Sequence, residues 1–122
     1  MQNKSLDDCL KEANELVPRL SFEETIDFIK NKETVIIDVR EESEVINYGL
    51  IKEAIHIPRG LIEFKLSPNS TNNPVEIKEN TNILVYCAGG YRSALAGKTL
   101  IELGFPNVFN ICLLYTSPSP RD

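Results

Sequence analysis

The chain has 122 residues, 42% of them hydrophobic, enough for one globular domain with a modest core. A formal charge of −5 offers no basic stripe to a nucleic-acid backbone or an anionic membrane, which leaves small molecules or proteins as partners. Cys9, Cys87 and Cys112 are odd in number, widely spaced and free of any C-x-x-C pair. Neither a disulfide framework nor a zinc site is indicated, and free thiols in a reducing cytoplasm are the expectation.

Taken in chain order, the first segment is polar with helical period and no apolar run long enough to span a membrane. Ser5 caps a helix to about Leu16, with Leu6, Cys9, Leu10, Ala13 and Leu16 or Val17 on one face and Pro18 closing it. Ser21 with Glu24 forms a capping box for a second helix, whose stripe is Phe22, Ile26 and Ile29. "TVIIDVR" (34 to 40) and "NILVYC" (82 to 87) are nearly continuous β-branched or apolar runs, the pattern of strands buried on both faces of a parallel sheet. "AIHIP" (54 to 58) and "NVFNI" (107 to 111) are two shorter strands. "EESEVINYG" and "RGLIEFKL" read as short helical turns, 67 to 80 as a polar surface loop, and Gly104 as a left-handed end to the helix after residue 90. Strands alternating with helices give an α/β domain with a mainly parallel sheet flanked by helices.

Cys87 ends the most apolar strand, where open parallel sheets gather ligands. Ala88, Gly89 and Gly90 leave the backbone free to turn successive N–H groups toward the sulfur, and Ser93 is placed to cap the following helix. That helix would bury Ala96, Leu100 and Leu103, and its positive end would favour a thiolate, the nucleophilic form of cysteine. Arg92 adds a forked cation suited to the oxyanion of a sulfur or phosphorus acid. Cysteine phosphatases share C-x5-R, whereas "CAGGYR" is C-x4-R; the narrower ring suits a single sulfur atom and so a persulfide on Cys87. His56, alternating between apolar neighbours, reads as a hydrogen-bonded structural histidine, and Arg59 with Glu63 as a surface ion pair or a substrate contact.

With "IIDVRE" (36 to 41), "AIHIPRGLIEF" (54 to 64), "VYCAGGYRSALAGKTLIELGF" (85 to 105) and "NVFNI", the chain resembles a single-domain rhodanese of the small bacterial type. The resemblance implies a three-layer rhodanese-like fold and a sulfurtransferase. Cys87 would be the sulfur-accepting nucleophile, Ala88, Gly89, Gly90, Tyr91 and Ser93 the persulfide loop, Arg92 an anion-binding group, and Asp38 and Arg40 supports of that loop. The partners would be thiosulfate or another sulfane-sulfur donor, and a thiol or cyanide acceptor, with no metal or organic cofactor. A relay serving only a protein partner stays open, as does a cysteine phosphatase or arsenate reductase.

Two departures accompany the resemblance. The usual Gly-His-Ile-Pro-Gly-Ala signature is replaced by "GLIKEA" (49 to 54), and the Gly-Gly and tryptophan-bearing helix expected after "NVFNI" do not follow. Instead "CLLYTSPSPRD" (112 to 122) matches, residue for residue, one frame of a transposase sequencing adapter. The expected organisation is a helical extension over 1–20, a rhodanese-like domain over 21–111 shortened at its C-terminus, and a non-native tail over 112–122.

Overall fold

A computed structural model of the chain describes residues 3–31, 33–50, 53–67, 70–71, 73–87 and 89–112. Four parallel strands, β1 (Thr34–Asp38), β2 (Ile55–His56), β3 (Asn82–Cys87) and β4 (Val108–Cys112), form one sheet in the order β2-β1-β3-β4. The chain leaves β1 in one direction to β2 and returns past it to β3. The crevice between the carboxyl ends of β1 and β3 is therefore the switch point where such sheets take ligands.

The alternation of side chains along the strands splits the core in two. Ile37, Val39, Ile83, Val85 and Cys87 face one way, packed with Ile62 and Leu66 of α4 (Ile62–Leu66) and Ala96 and Leu100 of α5 (Tyr91–Glu102). Ile36, Leu84, Tyr86 and Ile111 face the other way, under Leu20 and Phe28 of the segment carrying α2 (Phe22–Ile29). Because both faces are covered, β3 is buried from Ile83 to Cys87, which is why its sequence is an unbroken apolar run. Helix α1 (Leu6–Leu16) carries the chain into Val17, which lies against α5 at Gly97. A Cβ there would stand 2.9 and 3.0 Å from the two Val17 methyls.

Ser5 and Ser21 cap α1 and α2 with reciprocal capping boxes to Asp8 and Glu24. The α1 face is the expected one apart from Leu6, whereas the α2 face differs. On α1, Ala13 and the following Val17 are buried while Leu6 and Leu16 are exposed; on α2, Thr25 is buried while Phe22, Ile26 and Ile29 point outward. The α2 face that meets the sheet is rotated to Thr25 and Phe28, where Phe28 stacks on Phe109 at 4.8 Å between ring centres. Gly104 has a φ of 109° just after α5, the left-handed conformation expected at a helix end. The remaining turns are helix α3 (Glu42–Tyr48) and a 3-10 turn (Arg59–Leu61) leading into α4. In "GLIKEA", Ile51 and Lys52 lie outside the described residues, and Gly49 and Glu53 on either side have positive φ.

Candidate active site

β3 delivers Cys87 to the switch point with its side chain on the α5 face, and the chain must then reverse within three residues to start α5. Gly90 makes that turn as the N-cap of α5, with φ 86° and ψ −1°, a conformation open to glycine at no steric cost. The result is a ring of donors around the sulfur. The Gly90 amide donates to Cys87 Sγ at 3.1 Å and the Ser93 amide at 3.4 Å, with the Ser93 hydroxyl also 3.4 Å away. Burial works hardest against ionising this thiol. The Ser93 hydroxyl and the amides of Ser93, Gly90 and Arg92 together outweigh it, so the thiol lies below its ordinary pKa.

Ser93 is not the cap of α5. The glycine turn starts the helix at Tyr91, so Ser93 falls in the first turn with its side chain directed into the site. Its hydroxyl donates to Asn110 Oδ1 at 2.6 Å. Asn110 Nδ2 in turn donates to the Gly90 carbonyl at 3.1 Å, which fixes the orientation of the amide. One hydroxyl hydrogen serves two neighbours, and in the thiol form the shorter bond to Asn110 holds it. Asn110 was missed in the sequence; its signal is a lone amide in the apolar strand "VFNI", buried to 1% exposure.

The other predicted residues fall around this centre. Arg92 is engaged by Glu44 of α3 through two bonds, 2.5 Å from Nη1 and 2.8 Å from Nη2. The Arg92 guanidinium pulls the Glu44 carboxyl down to about 2, helped by the Glu41 amide at the start of α3. Asp38 and Arg40, both buried at the end of β1, bind each other through Oδ2 and Nη2 at 2.7 Å, and Arg40 Nη2 also reaches the Gly49 carbonyl at 2.6 Å. The Arg40 guanidinium lies over the Tyr86 ring, 5.6 Å from its centre. His56 donates from Nε2 to the Arg40 carbonyl at 2.7 Å, a structural bond that commits this ring nitrogen to the backbone. Gly89 and Tyr91 sit on the exposed rim, Arg59 and Glu63 are 3.8 Å apart at the surface, and Ala88 lies outside the described residues. No group of three or more His, Cys, Asp or Glu side chains that could hold a metal occurs among the described residues.

The family model for the rhodanese-like domain matches residues 21–112. The chain belongs to the rhodanese-like family. Among solved structures, this rhodanese-like chain is similar to a Rhodopseudomonas palustris CGA009 protein of unknown function, for which tyrosine phosphatase activity has been suggested. The TM-score is 0.81 at 32% identity, covering 92% of this chain and 86% of that one. It is 36% identical over 85 residues to a Schizosaccharomyces pombe mitochondrial protein provisionally named a thiosulfate sulfurtransferase, covering 66% of this chain and 59% of the yeast protein. It is also 35% identical over 85 residues to the tRNA uridine(34) hydroxylase of Prochlorococcus marinus (strain MIT 9215). That match covers 68% of this chain but 27% of the hydroxylase, so the chain corresponds to about a quarter of that relative's length.

Proposed function

We propose that this rhodanese-like domain is a sulfurtransferase that carries a sulfane sulfur on Cys87. The observation that carries the reading is the set of amides aimed at a buried Sγ, which stabilises negative charge on sulfur and would do the same for a terminal persulfide sulfur. In the first step the Cys87 thiolate attacks the outer sulfur of thiosulfate or a related donor. The S–S bond of the donor breaks, its electron pair leaves with sulfite, and Cys87 holds the persulfide anion. In the second step an acceptor thiolate or cyanide attacks the terminal sulfur and Cys87 returns as thiolate. Neither step needs a proton shuttle once the thiolate is formed, which agrees with a histidine committed to a backbone carbonyl.

Asp38 and Arg40 hold the end of β1 against β3 in this scheme, and Gly89, Gly90, Tyr91 and Ser93 would line the space for the outer sulfur. A phosphatase reading, raised by the Rhodopseudomonas relative, is disfavoured because the Arg92 fork that would clasp a phosphoryl group already clasps Glu44.

Intact mass of the protein after thiosulfate treatment tests the proposal. The expected result is one added sulfur, absent in Cys87→Ser and removed by cyanide. A folded parent that gains no sulfur overturns transfer from thiosulfate, and hydrolysis of an aryl phosphate that disappears in Cys87→Ser would replace it with the phosphatase.

A further inference from the structure

Two arginines stand beside the Cys87 loop, and they are in opposite electrical states. Arg92 and Glu44 form a closed pair, and with the Glu44 carboxyl held near 2 the pair is a neutral unit at any working pH. Arg19 has no carboxylate within 4.0 Å and no hydrogen bond among the described residues. It lies in the segment before residue 21, ahead of the rhodanese-like match.

The path that brings Arg19 to the loop is a backbone one. The Leu20 amide donates to the Asn110 carbonyl at 3.0 Å and the Asn110 amide to the Pro18 carbonyl at 2.9 Å, so the segment runs beside β4 in a single parallel bridge of Arg19 with Asn110. Bridge partners send their side chains to the same face. Asn110 reaches the Gly90 carbonyl, and the Arg19 guanidinium lies against the same glycine. A Cβ built on Gly90 would collide with Arg19 Nη2 and stand 3.1 Å from Cζ. Since the Gly90 amide is itself a donor to Sγ, standard bond lengths put the guanidinium roughly 8 Å or less from the sulfur. That is no more than one Debye length in physiological salt, so its charge is felt there.

We infer that Arg19 is the charged group that selects oxyanionic sulfur donors, of the thiosulfate or thiosulfonate class, at Cys87. The inference rests on the sulfurtransferase reading and says which donors it serves. A thiolate attacking a dianion on a chain of net charge −5 meets repulsion that backbone dipoles only partly offset, and a guanidinium with no carboxylate partner among the described residues supplies the missing attraction. Neutral polysulfides would gain nothing from it.

The test needs no turnover. Cys87 is alkylated in parallel by iodoacetate, an anion, and iodoacetamide, its neutral counterpart, and the two rates are read on the Cys87 peptide by mass spectrometry, with Cys9 as internal reference. In Arg19→Ala the iodoacetate-to-iodoacetamide ratio at Cys87, in which any change of thiolate fraction cancels, is expected to fall by about threefold to tenfold, with the Cys9 ratio unchanged. Arg19→Lys restores most of the ratio, and added salt lowers it in the parent but not in Arg19→Ala. In sulfur loading, KM for thiosulfate rises by a similar factor relative to loading from a neutral organic hydropersulfide, whose outer sulfur passes to Cys87 as the thiolate leaves. An Arg19→Ala ratio equal to the parent's overturns the inference. A normal ratio effect in a protein that takes no sulfur from thiosulfate upholds the Arg19 anion site and overturns the sulfurtransferase reading instead.

Discussion

At the carboxyl end of β1 the Asp38 carboxylate receives Arg40 through its amide, Nε and Nη2, all between 2.7 and 3.0 Å, and both side chains are buried. At the neighbouring end of β3 the Cys87 sulfur is equally buried, yet the groups aimed at it are neutral amides and a hydroxyl. The first end is a finished ion pair, with opposite charges matched to each other. The second has donors directed at an atom whose charge is still to appear. One strand end therefore supports and its neighbour reacts, although sequence presents both as a polar residue closing an apolar run.

The largest effect should come from opening the finished pair. Asp38→Asn leaves the Arg40 guanidinium buried without its counter-charge, and losing one partner of such a pair costs about 3–5 kcal/mol. A urea melt should show that loss, an appreciable fraction of the ~5–15 kcal/mol that holds a domain together. A drop below 1 kcal/mol would mean that water reaches Arg40 and that the two strand ends are less different than the geometry makes them.

At the reactive end the effect is smaller and electrostatic. The iodoacetamide rate at Cys87 should follow a pH profile with its midpoint below that of a free cysteine, the thiolate fraction rising as pH passes the lowered value. On ionisation the Ser93 hydroxyl can turn from Asn110 Oδ1 to the sulfur, a gain open only to the charged form. Ser93→Ala should then move the midpoint up by about half a unit to one unit. An unmoved midpoint would assign the whole shift to the amides.

How much of this could be read beforehand depends on the range of the interaction. β3 was legible because burial on both faces writes itself into consecutive residues, and the capping boxes because their partners are three residues apart. The stripe on α2 misled: in eight residues, Phe22-Ile26-Ile29 and Thr25-Phe28 are adjacent faces, and only the position of the sheet chooses between them. Ser93 reads as a cap because serine is a good one, whereas the left-handed Gly90 already begins the helix. Of the site, the nucleophile and its glycine loop stood in one motif. Asn110, Arg19 and Glu44 reach that loop from other elements, Glu44 from 48 residues away; a lone amide in an apolar strand marks Asn110, and no local pattern marks the other two.

The smallest change sharpens the contrast most. Glu44→Gln converts the neutral Arg92 pair into a free cation beside the loop, making Arg92 resemble Arg19 in place of Arg40. The Glu44 carboxyl lies near 2 in the fold and in the ordinary carboxylate range when unfolded. Its contribution is therefore full above the unfolded value and is lost as pH falls toward 2. Both side chains are partly exposed, at 37% and 28%, so solvent screening holds that contribution to about 1 kcal/mol. Urea midpoints should separate parent from variant at pH 7 and converge near pH 2. The thiol should respond in the opposite sense, since the released guanidinium favours the thiolate and lowers the midpoint of the Cys87 alkylation profile. A variant that loses stability without gaining thiol reactivity would show that Arg92 serves only to hold α3 to α5, leaving the charge at the loop to Arg19.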